Sequence, residues 1–302
     1  LMCISDILNN FLNFWADWPV VNTFFSNIGW FGFNKLQESL EGSFLIKAWI
    51  QLLSYFFVIF LSLFYILKTS NKKLIDDSKN FSNLSAYIIR ASFWIVLLVG
   101  IVDMILSFLR VEDYLVPLFG KNLGIALGHP TFRGTYVHFP VMLISLIIAY
   151  YTRTLGFLWL AVLVVIAEFQ IVLARFIFSY EQTFMGDLVR FWYGSLFLFA
   201  SSYALIHEGH VRVDVLYTKF SKRAKAWSNL FGCLLLGIPI CWTILLRGMW
   251  CKQCIINGPL TNFETSMSGY GMYVKYLMAG FLAIYALTML IQFVSYFLSN
   301  SS

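Results

Sequence analysis

The chain has 302 residues, of which 60 % are hydrophobic and 12 % charged, and it carries a formal net charge of +6. A water-soluble domain of this length needs far more charge to cover its surface, so a soluble enzyme or binding module is excluded and a polytopic membrane protein is expected. The basic excess gathers in particular loops, which reads as membrane topology rather than as affinity for nucleic acid.

Residues 1–45 hold Trp15, Trp18, Trp30 and Phe31 among asparagines and acidic residues. This composition suggests an interfacial helix or a loop on the outer surface. No lysine or arginine precedes Lys35, so residues 1–34 lack the positive segment of a secretory signal. Seven apolar runs then approach the roughly 20 residues that a spanning helix needs. They fall at about 46–67, 88–109, 136–152, 155–178, 188–208, 228–250 and 272–298. The third is short, with Pro140 near its start, and only 152–154 separates it from the fourth. None alternates at the ~10-residue length of a barrel strand. The expected fold is therefore all-α, a polytopic helical membrane bundle of about seven transmembrane helices with an interfacial amphipathic segment.

Charge orients the bundle. The first, third and fifth loops carry Lys68, Lys72, Lys73, Lys79, Arg90, Arg153, Arg212, Lys219, Lys222, Arg223 and Lys225, eleven basic residues. The second, fourth and sixth carry four: Arg110, Lys121, Arg133 and Lys252. The odd loops are expected to face the cytoplasm, placing the C-terminus inside. Loop 110–135, with its prolines and glycines, suggests a short re-entrant or surface segment.

Charged residues within the spans are the next candidates. Asp103 and Arg110 stand seven apart on one helix face, and Glu168 and Arg175 repeat the spacing. Packing against another helix or subunit is the favoured reading, since one acid per helix makes a poor proton path. Lys275, near the start of the last span, lacks the mid-helix position of a retinal-type Schiff base.

From 211 to 227, Val213, Leu216, Phe220, Ala224 and Trp227 recur at helical spacing while the cations mostly avoid that face. Such a stretch lies in the membrane interface with its cations near anionic lipids. An ordinary cytoplasmic loop is the competing reading, and Ser221 is placed to cap a following helix. His207, His210 and Asp214 fall short of the ligand number of a metal site, so no metal and no cofactor are expected. Asp214 more simply neutralises Arg212 or accepts backbone N–H groups. Cys251 and Cys254 have redox spacing on the outer side. A structural disulfide or two free thiols is favoured, because a thiol oxidase needs a second exposed pair to relay electrons.

Several pieces together resemble one family. Asp187 and Arg190 open the fifth span. Glu208-Gly209-His210-Val211-Arg212-Val213-Asp214 closes it, and Ser221-Lys222-Arg223-Ala224 starts the sixth. Glu264-Thr265-Ser266 precedes the last. From about 155 to 298 the chain resembles the small membrane subunit, DctQ-like, of tripartite ATP-independent periplasmic (TRAP) transporters. The family more often has Glu where Asp187 stands.

The resemblance implies two regions: a membrane extension over 1–154, with an outer-surface segment and three spans, and a four-span small-permease-like domain over 155–302. It implies a non-catalytic scaffold in a bacterial inner membrane, importing an organic anion, commonly a carboxylate, with sodium. The partners it implies are a large membrane permease subunit and a periplasmic substrate-binding protein. The expected interface residues are Asp187, Arg190, His210, Arg212, Asp214, Lys222, Arg223, Glu264 and Ser266, joined by Glu168 and Arg175 from the charge spacing. The alternative of a different class is a membrane thiol-quinone oxidoreductase working through Cys251 and Cys254.

Overall fold

A computed structural model describes residues 1–35, 40–154, 157–180, 182–206, 217–266 and 270–301. Two compact units divide at Lys72/Lys73. The division falls well before the expected boundary at 154/155, which is a limit of family resemblance. Helices on both sides of 154 share one core.

The first unit holds α1 (Met2–Trp15), α2 (Val21–Ile28) and α3 (Gly42–Lys68). The two short helices pack along α3. Asn9 donates to the Ser54 hydroxyl at 2.9 Å, Tyr55 donates to Asp6 at 3.1 Å, and Gln51 donates to Asn13. These contacts engage polar groups on an otherwise apolar helix, leaving the buried Gln51 Oε1 without a partner. The rest of α3, including Phe56, Phe57, Phe60, Phe64 and Leu67, is exposed, as a lipid-facing span requires.

The second unit begins with α4 (Leu74–Val111), a 38-residue helix. Its last part spans, and its first four turns continue as polar helix. Asp76 and Asp77 sit in that first turn, where carboxylates complement the helix dipole. Three short helices follow: α5 (Leu115–Phe119), α6 (Lys121–Leu127) and α7 (Pro130–Arg133). A π-helical turn over Gly134–His138 joins α7 to α8 (Phe139–Tyr151). The third span therefore starts at Pro130 rather than 136. Pro140 has no N–H to offer and crowds the carbonyl four residues back, and the wider π turn relieves that conflict.

α9 (Phe157–Ile177) and α10 (Met185–Ile206) come next. Ser221 then caps α11 (Lys222–Phe231) by accepting the Ala224 N–H at 3.3 Å. A second π turn, Gly232–Gly237, precedes Pro239 in α12 (Ile238–Met249). After α13 (Asn257–Asn262) the chain ends in α14 (Lys275–Ser301). Among the described residues there is no strand.

Among the described residues, six helices are long and apolar enough to cross a membrane: α3, α4, the continuous stretch 130–151, α9, 222–249 and α14. The fifth expected span, α10, is absent from that set. It is nevertheless 22 residues long, about 33 Å, and packs against α4, α9 and α14. Asp187, Arg190 and its serines lower its apolar average. The buried serines, Ser195 and Ser202, bond within the bundle instead of facing lipid.

The core lies where α4, α9, α10 and α14 meet. Ile89, Phe93, Val96 and Val99 recur at helical spacing on α4 and meet Leu188, Phe191, Trp192 and Phe199 of α10. Phe281 of α14 lies between Phe191 and Phe199, at ring distances of 5.1 and 5.3 Å. A seam of hydroxyls fixes the helices against one another. Ser78 donates to the Ser295 carbonyl, Ser85 to the Thr288 carbonyl, and the Ser202 and Thr288 hydroxyls share a bond. These small residues allow close helix approach and give their hydroxyls partners away from water.

Candidate functional site

The polar chemistry of the second unit concentrates at one end of the bundle, where α4 stops and α10 and α14 start. Its centre is Asp103, which is fully buried. Oδ1 accepts from Arg133 at 2.8 Å and lies 3.1 Å from His138 Nε2. Oδ2 accepts the backbone N–H of Tyr273 at 2.8 Å. Arg133, also fully buried, spends its remaining donors on the Ser107 hydroxyl and the Leu127 carbonyl. His138 Nδ1 meets the Tyr276 hydroxyl at 2.8 Å. The Tyr273 ring lies between the guanidinium groups of Arg110 and Arg133, 4.2 and 4.4 Å from its centre. A charge inside a membrane is tolerated when it is paired and hydrogen-bonded, and each member here has partners.

The sequence reading places Asp103 and Arg110 on one helix face turned toward protein, and in the structure each meets a different partner. Arg110 turns to the Gly271 carbonyl at 2.6 Å, and the partner of Asp103 comes from the expected surface loop, through Arg133. Arg133, His138, Tyr273 and Tyr276 are missed in the sequence. The one available signal is that a buried carboxylate demands a cation, and Arg133 stands beside a run of glycine and proline that packs closely.

Beside this centre lies the mouth formed by Asp187 and Arg190. Asp187, in the first turn of α10, accepts the backbone N–H of Met272 at 3.1 Å, the Ser266 hydroxyl at 3.4 Å, and Arg190 at 3.5 Å. Its carboxylate thus staples the residues just before α14 onto the head of α10. Glu264 pairs with Lys275 at 2.6 Å, a half-exposed bridge worth little alone. A cavity of about 350 Å³ opens here, lined by Asp187, Arg190, Ser266, Met272, Val274, Lys275 and Met278. Four of the family-type residues, Asp187, Arg190, Glu264 and Ser266, therefore share one region, although 74 to 79 positions separate the first pair from the second. Nearby, Tyr180 donates to Glu112 at 2.7 Å and Gln182 at 3.0 Å. These bonds hold the Glu112 carboxyl below its usual range and push the Tyr180 hydroxyl up.

Glu168 and Arg175 both lie on exposed faces of α9. The expectation that such faces point at protein is not met by this chain's own helices for Glu168. Lys222 and Arg223 open α11 at the opposite end of the bundle, and the amphipathic reading of 211–227 as one helix stops at Ser221, where the cap begins a new one. His210, Arg212 and Asp214 lie outside the described residues. Cys251 and Cys254 form a disulfide, and Cys3, Cys233 and Cys241 are buried and outside any disulfide. The thiol-quinone alternative gains no support from this arrangement. Among the described residues, no group of three or more His, Cys, Asp or Glu could hold a metal ion.

Neither the curated proteins nor the solved structures contain a match to this chain. Residues 161–298, a little under half of it, match the family described as tripartite ATP-independent periplasmic transporters, DctQ component, the family its motifs resemble, whose members are transporter subunits.

Proposed function

We propose that this chain is the small, non-catalytic scaffold subunit of a TRAP transporter that imports an organic anion of the carboxylate class together with sodium. Residues 155–302 supply the four-span part, and 1–154 extend it in the membrane. The chain sits in a bacterial cytoplasmic membrane with its C-terminus in the cytoplasm. Its partners are the large permease subunit, a periplasmic substrate-binding protein and anionic lipids.

The observation that carries this reading is Glu168. It lies midway along α9, inside the matched segment, on an exposed face with Val165, Ile166, Phe169 and Val172. A carboxylate in mid-membrane is not left facing lipid, so this face needs another protein against it. The permease subunit is the partner whose helices would supply a cation or donor there, with Arg175 contributing at the end of the same helix. Asp187, Arg190, Glu264 and Ser266 would order the outer mouth near the docked binding protein. His210 and Arg212, with Asp214 as counter-charge, would fix the cytoplasmic elbow, and Lys222 and Arg223 would rest on anionic head groups.

The test is copurification of the chain with the permease subunit. Glu168→Arg places a like charge against the proposed donor and should reduce the copurified fraction at least about tenfold, or about 1.4 kcal/mol. Unchanged copurification with Glu168→Arg removes the support for this interface.

A further inference from the structure

At the end of the bundle opposite Asp103, α4 and α8 frame a cavity of about 800 Å³. Its lining is Asn83, Tyr87 and Arg90 from α4 with Tyr150, Tyr151 and Arg153 from the end of α8 and the turn beyond. Positions 83, 87 and 90 step by four and three, so they share one face of α4. Tyr87 is anchored by donating to the Leu146 carbonyl at 3.2 Å. Arg90 lies over the Tyr87 ring, 6.0 Å from its centre. The Arg90 Nε is buried and has no hydrogen-bond partner. Tyr150 and Tyr151 stand edge to face and are mostly exposed.

Two arginines and three tyrosines line this space, and among the described residues no acidic side chain does. The nearest acids on α4, Asp77 and Asp103, are each about 20 Å from Arg90 along the helix, on opposite sides of it. The apolar run of α4 begins at 88, so Arg90 sits where hydrocarbon meets head groups. Lys73 and Lys79 lie on the same end of the unit. Tyrosine is the side chain of that boundary, and guanidinium pairs with phosphate through planar, charge-assisted bonds. A buried guanidinium nitrogen without an acceptor, beside a second arginine, lacks an anion.

We propose that this cavity binds the phosphodiester head group of an anionic phospholipid, with Arg90 and Arg153 on the phosphate and the tyrosines against the glycerol and upper acyl chains. The site is separate from the surface cations Lys222 and Arg223 and depends only on the chain's being a membrane protein.

Native mass spectrometry of the full-length chain in detergent tests this, with phosphatidylglycerol, phosphatidylcholine or inorganic phosphate supplied. Phosphatidylglycerol should be retained in preference to phosphatidylcholine, and inorganic phosphate should not displace it. Each of Arg90→Gln and Arg153→Gln should lower that retention about fivefold, whereas Lys222→Gln with Arg223→Gln should leave most of it. Arg153 is exposed, so Arg153→Gln serves even if Arg90→Gln disturbs folding. Equal retention of phosphatidylcholine, full retention in Arg153→Gln, or displacement by inorganic phosphate at equal concentration would each overturn the proposal. Displacement by phosphate would identify a free-anion site instead.

Discussion

Asp103 and Tyr273 stand 170 positions apart, yet a carboxylate oxygen of the first accepts the backbone N–H of the second at 2.8 Å. This bond joins α4, outside the family-matched segment, to the residues that lead into α14, inside it. The helices of 73–151 are thus fastened to the DctQ-like part through a buried polar centre as well as through apolar packing.

That centre should be costly to damage. Asp103→Ala leaves Arg133 buried without its counter-charge and should destabilise the second unit by about 3–5 kcal/mol. Combining it with Arg133→Leu should recover part of the loss. Thermal unfolding of the single and double variants in detergent measures the coupling. Additive losses would show that the two residues act separately.

Close helix approach makes a second prediction. A Cβ added at Gly100 would run into the Trp192 indole, which itself donates to the Val96 carbonyl at 3.3 Å. Gly100→Ala should therefore cost about 1–3 kcal/mol by overpacking. Gly186, on α10, has open space around it, and Gly186→Ala should stay within about 1 kcal/mol of the parent. The same unfolding experiment separates the two.

The bonds among Glu112, Tyr180 and Gln182 carry a pH signature. A carboxyl whose folded value is lowered binds fewer protons folded than unfolded. Its contribution is complete above the ordinary value of 4.5 and fades as pH falls through the lowered one. Tyr180 is raised, so its share is complete below 10.0 and is lost as pH climbs through the higher folded value. Amide hydrogen exchange around 178–183 should be slow between these limits and speed up on the acid side. Glu112→Gln should remove the acid-side change.

The disulfide offers a functional discrimination. Cys251 and Cys254 are only three positions apart, and so small a loop gains little from cross-linking. Cys251→Ser with Cys254→Ser should leave uptake by the assembled transporter near the parental level. Loss of uptake with intact assembly would revive a redox role for the pair.

Much of the architecture is legible in the sequence because lipid leaves few solutions: long apolar runs become helices, the runs near 46–67 and 88–109 lie inside α3 and α4, and those near 155–178 and 272–298 match α9 and α14 to within three residues. The boundaries drift where polar residues help a helix continue. α4 begins at Leu74 because its early turns bond to α14 through Ser78, a contact that no hydropathy pattern announces. The third span reaches back to Pro130 because Arg133, which reads as a loop cation, is satisfied by Asp103. For the mouth, the sequence supplies Asp187, Arg190, Glu264 and Ser266 as separate pieces. Their meeting depends on α10 and α14 running parallel side by side, so that both start at the mouth. The clustering of Arg133, His138, Tyr273 and Tyr276 depends on a π turn that rotates His138 inward, and periodicity alone does not reveal such a turn.

Ser78 grips Ser295 near one extremity of the α4–α14 pair, and Asp103 grips Tyr273 near the other. A slip by a single residue, about 1.5 Å, would break both clasps at once. The pair therefore works as a gauge of constant length. When the surrounding bilayer thickens or thins, these two helices cannot telescope to match it, and the adjustment must come from tilt or from the lipids themselves.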